Sequence, residues 1–193
     1  EADAPMMRVH LVDLVSDTFV ENLDSYEIDL ALIPACDLPD WIDSQPVFRS
    51  HYSVIARKDH PRIRQVGVRA GDVVPLDLYC DLGHVLFSPE GKNQAAGDYA
   101  LAQLGRHRRV VMTMPIFSGV YRAVAGSDLI ALLPSALAMQ VAETAGLEVY
   151  RAPMTIPEVQ LLMIWNRRYS TSPPHVWLRD KIAQLLAPLD ARN

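Results

Sequence analysis

Between residues 84 and 134 the apolar positions alternate between short continuous runs and helical spacing, and serine, proline and glycine mark each change. Val85-Leu86-Phe87 is too brief for a helix and is stopped by Ser88-Pro89-Glu90-Gly91, which predicts a strand followed by a turn. Ala96, Tyr99, Ala100 and Leu104 then fall at helical spacing, so a helix is expected over residues 95–104, ended by Gly105. The β-branched, apolar run of residues 110–114 reads as a buried strand broken by Pro115. Ser118 is the expected cap of a helix over residues 119–125, which Gly126 stops, and residues 129–133 form a third strand closed by Pro134. Strands alternating with helices call for a parallel sheet covered by helices, because each parallel crossover needs a dozen or more residues. Functional loops of such sheets sit at the carboxyl ends of the strands. Ser88, Pro115 to Ser118 and Pro134-Ser135 therefore line one edge.

The flanking segments fit a second lobe of the same kind. Val9, Leu11 and Val12 alternate partly with Arg8, His10 and Asp13, so residues 7–15 read as a strand. Thr18-Phe19-Val20-Glu21 has the form of a capping box, and residues 28–33 are a second strand stopped by Pro34. Residues 44–57 are extended, and residues 62–81, interrupted by Gly67, Gly71 and Pro75, read as a connection with one short helix. The crossing between lobes is expected near residues 60–67, with a return near residues 152–158. Beyond Pro134, Ser135 is the expected cap of a helix ending at Gly146, followed by extended runs over residues 147–150 and 159–165. After Pro173-Pro174, residues Val176, Trp177, Ile182, Leu185 and Leu186 give a final helix its apolar face. The expected architecture is α/β with two lobes and a cleft between them: residues 1–60 with 156–193, and residues 61–155.

Composition narrows the chemistry. At 193 residues and 50% hydrophobic content the chain buries a sizeable core as one domain or two lobes of roughly 100 residues each. No apolar run approaches the roughly 20 residues that span a bilayer, and the first residues show no signal sequence, so no membrane partner and a cytoplasmic location are expected. The net charge of −5 argues against direct grip on a nucleic-acid backbone. The one dense basic run, Arg106-His107-Arg108-Arg109, is expected in water at a helix end. Cys36 and Cys80 have no metal or disulfide spacing and read as reduced core thiols. The histidines show no ligand spacing, and no nucleophile elbow, P-loop or dinucleotide fingerprint occurs, so no catalytic residue, metal or cofactor is assigned. Asp128 and Glu90 read as surface residues or caps. Trp41, Trp165 and Trp177 read as core or interlobe packing. Phe117, at a strand-to-helix turn, is a candidate pocket wall, and His51 a candidate contact.

The succession of YEIDLALIP, PVFRSHYSVIARKDHP, HVLFSPEG, LGRHRRVVMTMPIF, GSDLIALLPSALA and VQLLMIWNRRYSTSPPHVWLRDKIAQLL resembles the effector-binding domain of LysR-type transcriptional regulators over nearly the whole chain. Residues 104–110, Trp165 and residues 177–179 resemble the branch of nodulation regulators and of sensors of salicylate or nitroaromatics. The resemblance implies two Rossmann-like lobes of the type 2 periplasmic-binding-protein kind, with a small inducer between them. It also implies a homodimer, and a tetramer when an N-terminal winged helix-turn-helix, which nothing in this chain resembles, supplies the contact with DNA. The family's domain opens with a strand and a helix ahead of the segment resembling residues 4–9, so this chain departs from it there. On this reading the ligand contacts are Ile33, Pro34, Ala35, Cys36 and His51 from the first lobe side, and Ser88, Pro115, Ile116, Phe117 and Ser118 from the second. The expected ligand is a small aromatic carboxylate or another apolar-bodied anion. A stand-alone solute-binding protein of a transporter is the alternative, and an enzyme on the same scaffold a more distant one.

Overall fold

The computed structural model describes residues 4–12 and 18–190. In chain order the elements are α1 (Phe19–Asp24), β1 (Leu30–Pro34), β2 (Ile42–Ser50), β3 (Tyr52–Arg57), α2 (Pro61–Gln65), α3 (Leu76–Asp81), β4 (Gly83–Phe87) and α4 (Ala96–Gln103). They continue as β5 (Arg109–Met114), α5 (Phe117–Ala125), β6 (Ala131–Pro134), α6 (Ser135–Ala145), β7 (Leu147–Tyr150), β8 (Val159–Asn166) and α7 (Pro173–Asp190).

Two sheets result. In the first, β8 lies between β1 and β2 and is antiparallel to both, with Pro34 opposite Leu161 and Ser50 opposite Val159. In the second, β3 lies antiparallel between β6 and β7, while β4 and β5 pair in parallel. The Val85 amide donates to Ile130 O at 2.9 Å and the Ile130 amide to Gly83 O at 2.9 Å, joining β4 to the entry of β6. The second sheet therefore runs β5-β4-β6-β3-β7, with β3 alone reversed.

Apolar side chains cover both faces of the second sheet. Val120, Val124 and Ala138 of α5 and α6 close on Ile55, Val85 and Leu133. On the other face Tyr79 and Leu101 pack with Val54, Ala56 and Ile130. Gly97 permits the close approach there, since a Cβ at that position would stand 2.6 Å from Leu132 Cδ1. The first sheet buries Ala31, Ile33 and Ile164 beneath Leu23 of α1. Met163 and Trp165 alternate with Ile164 along β8 and so face the opposite side, where Arg179 of α7 lies over the Trp165 ring.

Several expectations are corrected. Residues 7–12 are in no strand and are exposed, while 13–15 lie outside the described residues. Among the described residues β1 has no parallel neighbour, so the first sheet does not repeat the parallel unit of the second. The crossing expected near residues 60–67 occurs between Ser50 and Tyr52, because β3 pairs with β6 and β7. Residues 52–57 thus belong with the second sheet, and the chain regains the first between Arg151 and Val159. An apolar alternation running through residues 44–57 carries no mark of which sheet each half will join.

Helix starts also differ. Ile116 and Pro134, rather than Ser118 and Ser135, occupy the N-cap positions of α5 and α6. Thr18 stands at the N-cap of α1 without a side-chain cap bond. Residues 62–81 contain parts of two short helices, and His60 caps the first through Nδ1 to the Ile63 amide. Cys36 is exposed and is not a core thiol, whereas half-buried Cys80 packs at the margin of the cluster around Tyr79. Trp177 is 38% exposed and is not a core residue.

Candidate functional site

The register places several strand ends along one seam. The carboxyl ends of β1 and β2 lie opposite the start of β8, and the start of β3 lies opposite the end of β6, with Tyr52 facing Pro134. Strands β4 and β5 run parallel to β6, so their carboxyl ends point the same way. Both sheets thus present the carboxyl ends of these strands toward the two crossings, at residues 50–52 and 151–159. Such an edge, where strand connections diverge, is where open α/β sheets bind ligands.

On the second sheet the Ser88 amide donates to Met114 O at 2.8 Å, fixing the turn after β4 beside the turn after β5. Phe87 and Phe117 stack there, ring centroids 3.9 Å apart and 16° from parallel. Pro115 and Ile116 are exposed, Phe117 and Ser118 half-buried, and Ser88 buried. No side chain caps α5, whose Gly119 and Val120 amides return to Ile116 O. The start of α6 is tied to the crossing instead: the Ser135 amide donates to His51 O at 2.9 Å, and the Ser135 and Ser53 hydroxyls are 2.8 Å apart. The edge of the second sheet therefore offers peptide dipoles, a few hydroxyls and an aromatic wall, with no catalytic arrangement of acid, base and nucleophile.

On the first sheet Ile33 is buried in the α1 cluster and cannot also line an open edge. Pro34, Ala35 and Cys36 are exposed beyond it, and the Ala35 amide donates to Gln160 O at 2.8 Å. His51 occupies the first crossing, and its Nε2 lies 3.7 Å from Glu158 Oε1 at the end of the second. Arg49 Nη1 lies 3.9 Å from the same carboxylate. Both contacts are substantially exposed, so their net contribution is small. Sequence reasoning missed Phe87, Ser53 and Glu158, and it placed Ser135 on this edge without naming it a contact. Phe87 had a signal, as the last apolar residue before the Ser88-Pro89 turn. The Ser53 to Ser135 and His51 to Glu158 approaches join residues far apart in the chain, which no local pattern marks.

Beside α4 the basic run departs from expectation. Arg108 does not sit in water: its side chain is 1% exposed and grips Asp98 through two bonds, Nε to Oδ1 at 2.8 Å and Nη2 to Oδ2 at 2.7 Å. His84 Nε2 donates to Tyr79 O at 2.8 Å, which leaves Nδ1 as the acceptor facing Arg108 Nη1 at 3.5 Å. Burial pushes the His84 imidazole down to about 4, with the carbonyl bond opposing and the Arg108 charge adding to the shift. Burial pushes the Asp98 carboxyl up, but Arg108 and the Ala95 amide outweigh it and hold the group below its ordinary value. A hollow of about 350 Å³ opens here, lined in part by Asn93, Gln94, Asp98, Arg106, His107 and Arg108. Arg106 and Arg108 are already engaged by Asp77 and Asp98, so the hollow has no strong claim as an anion site.

Among the described residues no three His, Cys, Asp or Glu side chains gather closely enough to hold a metal ion. Asp128 pairs with Arg57 at 2.7 Å at the surface, whereas Glu90, its side chain 19% exposed, is half-buried and pairs with Lys92. No helix among the described residues is long and apolar enough to cross a membrane.

Comparison with known proteins follows the same lines. The chain is 26% identical over 182 residues to the HTH-type transcriptional activator NahR of Pseudomonas putida, covering 94% of this chain and 58% of that protein. Its fold matches the regulatory domain of MexT, a transcriptional activator in Pseudomonas aeruginosa, with a TM-score of 0.71 at 28% identity, over 86% of this chain and 76% of that one. It also matches the effector-binding domain of QuiR, solved in complex with shikimate, with a TM-score of 0.68 at 13% identity over 89% of this chain and 78% of that one. The α/β architecture is thus of the type 2 periplasmic-binding-protein kind that the sequence resemblance implied. The LysR substrate binding domain pattern matches residues 1–187, and on that match the chain belongs to the LysR substrate binding domain family, regulatory rather than catalytic in kind.

Proposed function

We propose that this chain is the sensory part of a cytoplasmic LysR-type regulator, holding a small anion with an aromatic or other apolar body between the two sheets. Binding shifts the arrangement of lobes or protomers and is read out by a DNA-binding segment outside this chain. The chain spans 58% of NahR, which leaves room for such a segment in a protein of similar build. The observation that carries the ligand class is the uncapped start of α5 beside exposed Ile116 and the Phe87 and Phe117 rings. An anion at a helix start gains roughly 0.3–1 kcal/mol, more when partly buried, and the rings accommodate an apolar body. The shikimate complex of QuiR supports a small molecule in this fold.

Titration calorimetry with benzoate and benzamide tests the anion requirement. Benzoate is expected to bind more tightly. Equal affinity for the two, or affinity unchanged in both Ser118→Ala and Phe117→Ala, sinks the anion site. Because Ile116 rather than Ser118 is the N-cap of α5, Ser118→Ala should alter stability by less than about 0.5 kcal/mol, so its effect on binding is readable without a folding correction.

Self-association belongs to the same reading. Among the described residues β5 has a free edge, with Val111 and Met112 49% and 39% exposed, and Tyr99 of neighbouring α4 is 66% exposed. An unprotected edge beside apolar side chains favours a second copy at α4 and β5 as the occupant, in a homodimer that becomes a tetramer with the DNA-binding segment. Sedimentation should show association that Val111→Asp with Tyr99→Asp abolishes. An unchanged association state in that double variant removes this surface from the proposal.

A further inference from the structure

We infer that Phe87 selects planar, aromatic effectors over puckered ones by extending its stack with Phe117 to the ligand ring; this rests on the proposed anion site and names a specificity residue within it. Phe87 ends β4 and Phe117 begins α5, the helix that follows β5, and β5 is the parallel neighbour of β4, so the two rings meet at the seam. Both residues are half-buried: they pack against the cluster of Val85, Val120 and Leu133 without being enclosed by it. Two aromatic faces held 3.9 Å apart and 16° from parallel define a direction in which a third flat ring adds with its face matched, whereas a saturated ring presents axial hydrogens to that surface.

The position of the pair relative to charge strengthens the inference. Phe117 is the first residue of α5, so the stack and the uncapped amides of the helix start belong to one turn of chain. A carboxylate attached directly to a flat ring reaches the amides while the ring meets the stack. Phe87 carries no charge and makes no polar contact, so its part is the shape of the apolar body. The seam holds other aromatic groups, among them half-buried Tyr52 opposite Pro134, but the stacked pair beside the start of α5 is Phe87 with Phe117.

Benzoate and cyclohexanecarboxylate share the charge and nearly the size, and differ in planarity. Calorimetric titration of both acids into the wild-type chain and into Phe87→Leu and Phe87→Tyr, each shown folded by circular dichroism, reads the inference. The wild type should prefer benzoate by roughly two- to tenfold, the size of an aromatic pairing gain. Phe87→Leu should bring the ratio of the two affinities close to one, and Phe87→Tyr should restore it. A merely structural role for Phe87 would weaken both acids alike and leave the ratio standing, which overturns the inference. A wild type that binds both acids without preference also overturns it while leaving the anion site intact. If benzoate and cyclohexanecarboxylate both fail to bind, the anion site falls and the inference falls with it.

Discussion

Arg108 beside the second sheet and Arg179 beside the first are both buried cations, and each points a guanidinium nitrogen at a histidine Nδ1. They are neutralised in opposite ways. Arg108 meets a carboxylate, holding Asp98 through two short bonds, and His84 stands behind it. Arg179, 6% exposed, makes no bond to a carboxylate among the described residues: it donates to Tyr169 O at 3.3 Å, Ser170 O at 2.8 Å and His175 Nδ1 at 2.7 Å, and lies 4.2 Å above the Trp165 ring. The first arrangement stakes much on a single partner. The second spreads the charge over carbonyl dipoles and a π face, so the loss of one partner leaves others in place. The nearest acidic involvement is indirect, through Asp43, which accepts from Ser170 and Arg167.

The comparison is broken most severely at Asp98. Asp98→Ala strands the Arg108 charge in a buried site and is expected to cost about 3–5 kcal/mol, read as a shift in the urea midpoint at unchanged slope. A loss below about 1 kcal/mol would mean that water or His84 already neutralises the cation.

The next effect is pH dependence from His84. Its folded pKa of about 4 lies below the ordinary value of 6.5, so between these values the unfolded chain binds the proton more readily. Stability is therefore full above about pH 6.5 and declines as pH falls toward 4, by about 3 kcal/mol in all. The depressed Asp98 carboxyl acts in the same sense only at more acid pH, its contribution falling as the pH drops below its ordinary range. Urea unfolding of wild type and His84→Gln from pH 7 to 4.5 checks the window, and parallel curves would assign the acid sensitivity to other groups.

The smallest of these effects is expected at the other arginine. Arg179→Lys keeps the charge but loses the forked reach to two carbonyls and the flat face over Trp165, for about 1–2 kcal/mol. A cost equal to that of Asp98→Ala would remove the distinction between concentrated and distributed neutralisation.

The two arginines also show what a linear pattern carries. Arg106-His107-Arg108-Arg109 looked uniformly hydrophilic, and a helix end is an ordinary place for such a run. Burial of Arg108 follows from its place immediately before β5 and from Asp98 ten residues earlier on α4, a pairing that local composition does not display. Arg179 falls on the apolar face of the last helix, between Val176 and Ile182. Reading it as part of the core would have required knowing that the Tyr169 and Ser170 carbonyls accept from its guanidinium. The candidate site was legible in the same uneven way. The Phe117 turn stood out because Pro115 broke a β-branched run, whereas Ile33 belongs to the α1 cluster and only Pro34, Ala35 and Cys36 extend beyond it.

By itself the sequence determined the alternation of strand and helix over residues 83–150, the carboxyl-end loops and the family to which they belong. Those features depend on residues within one or two turns of one another: periodicity, a proline that cannot donate, a glycine such as Gly146 that adopts φ +66° at the end of α6. Tertiary structure alone decided that β3 crosses to the second sheet, that Arg108 lies beneath a carboxylate, and that Phe87 stacks on Phe117. Each of those depends on which distant backbone supplies the hydrogen bonds or the facing ring. Hydrogen bonding to a strand's neighbours satisfies the same backbone groups whichever sheet provides it, so local chemistry cannot choose between them, and the choice falls to the packing of the whole chain.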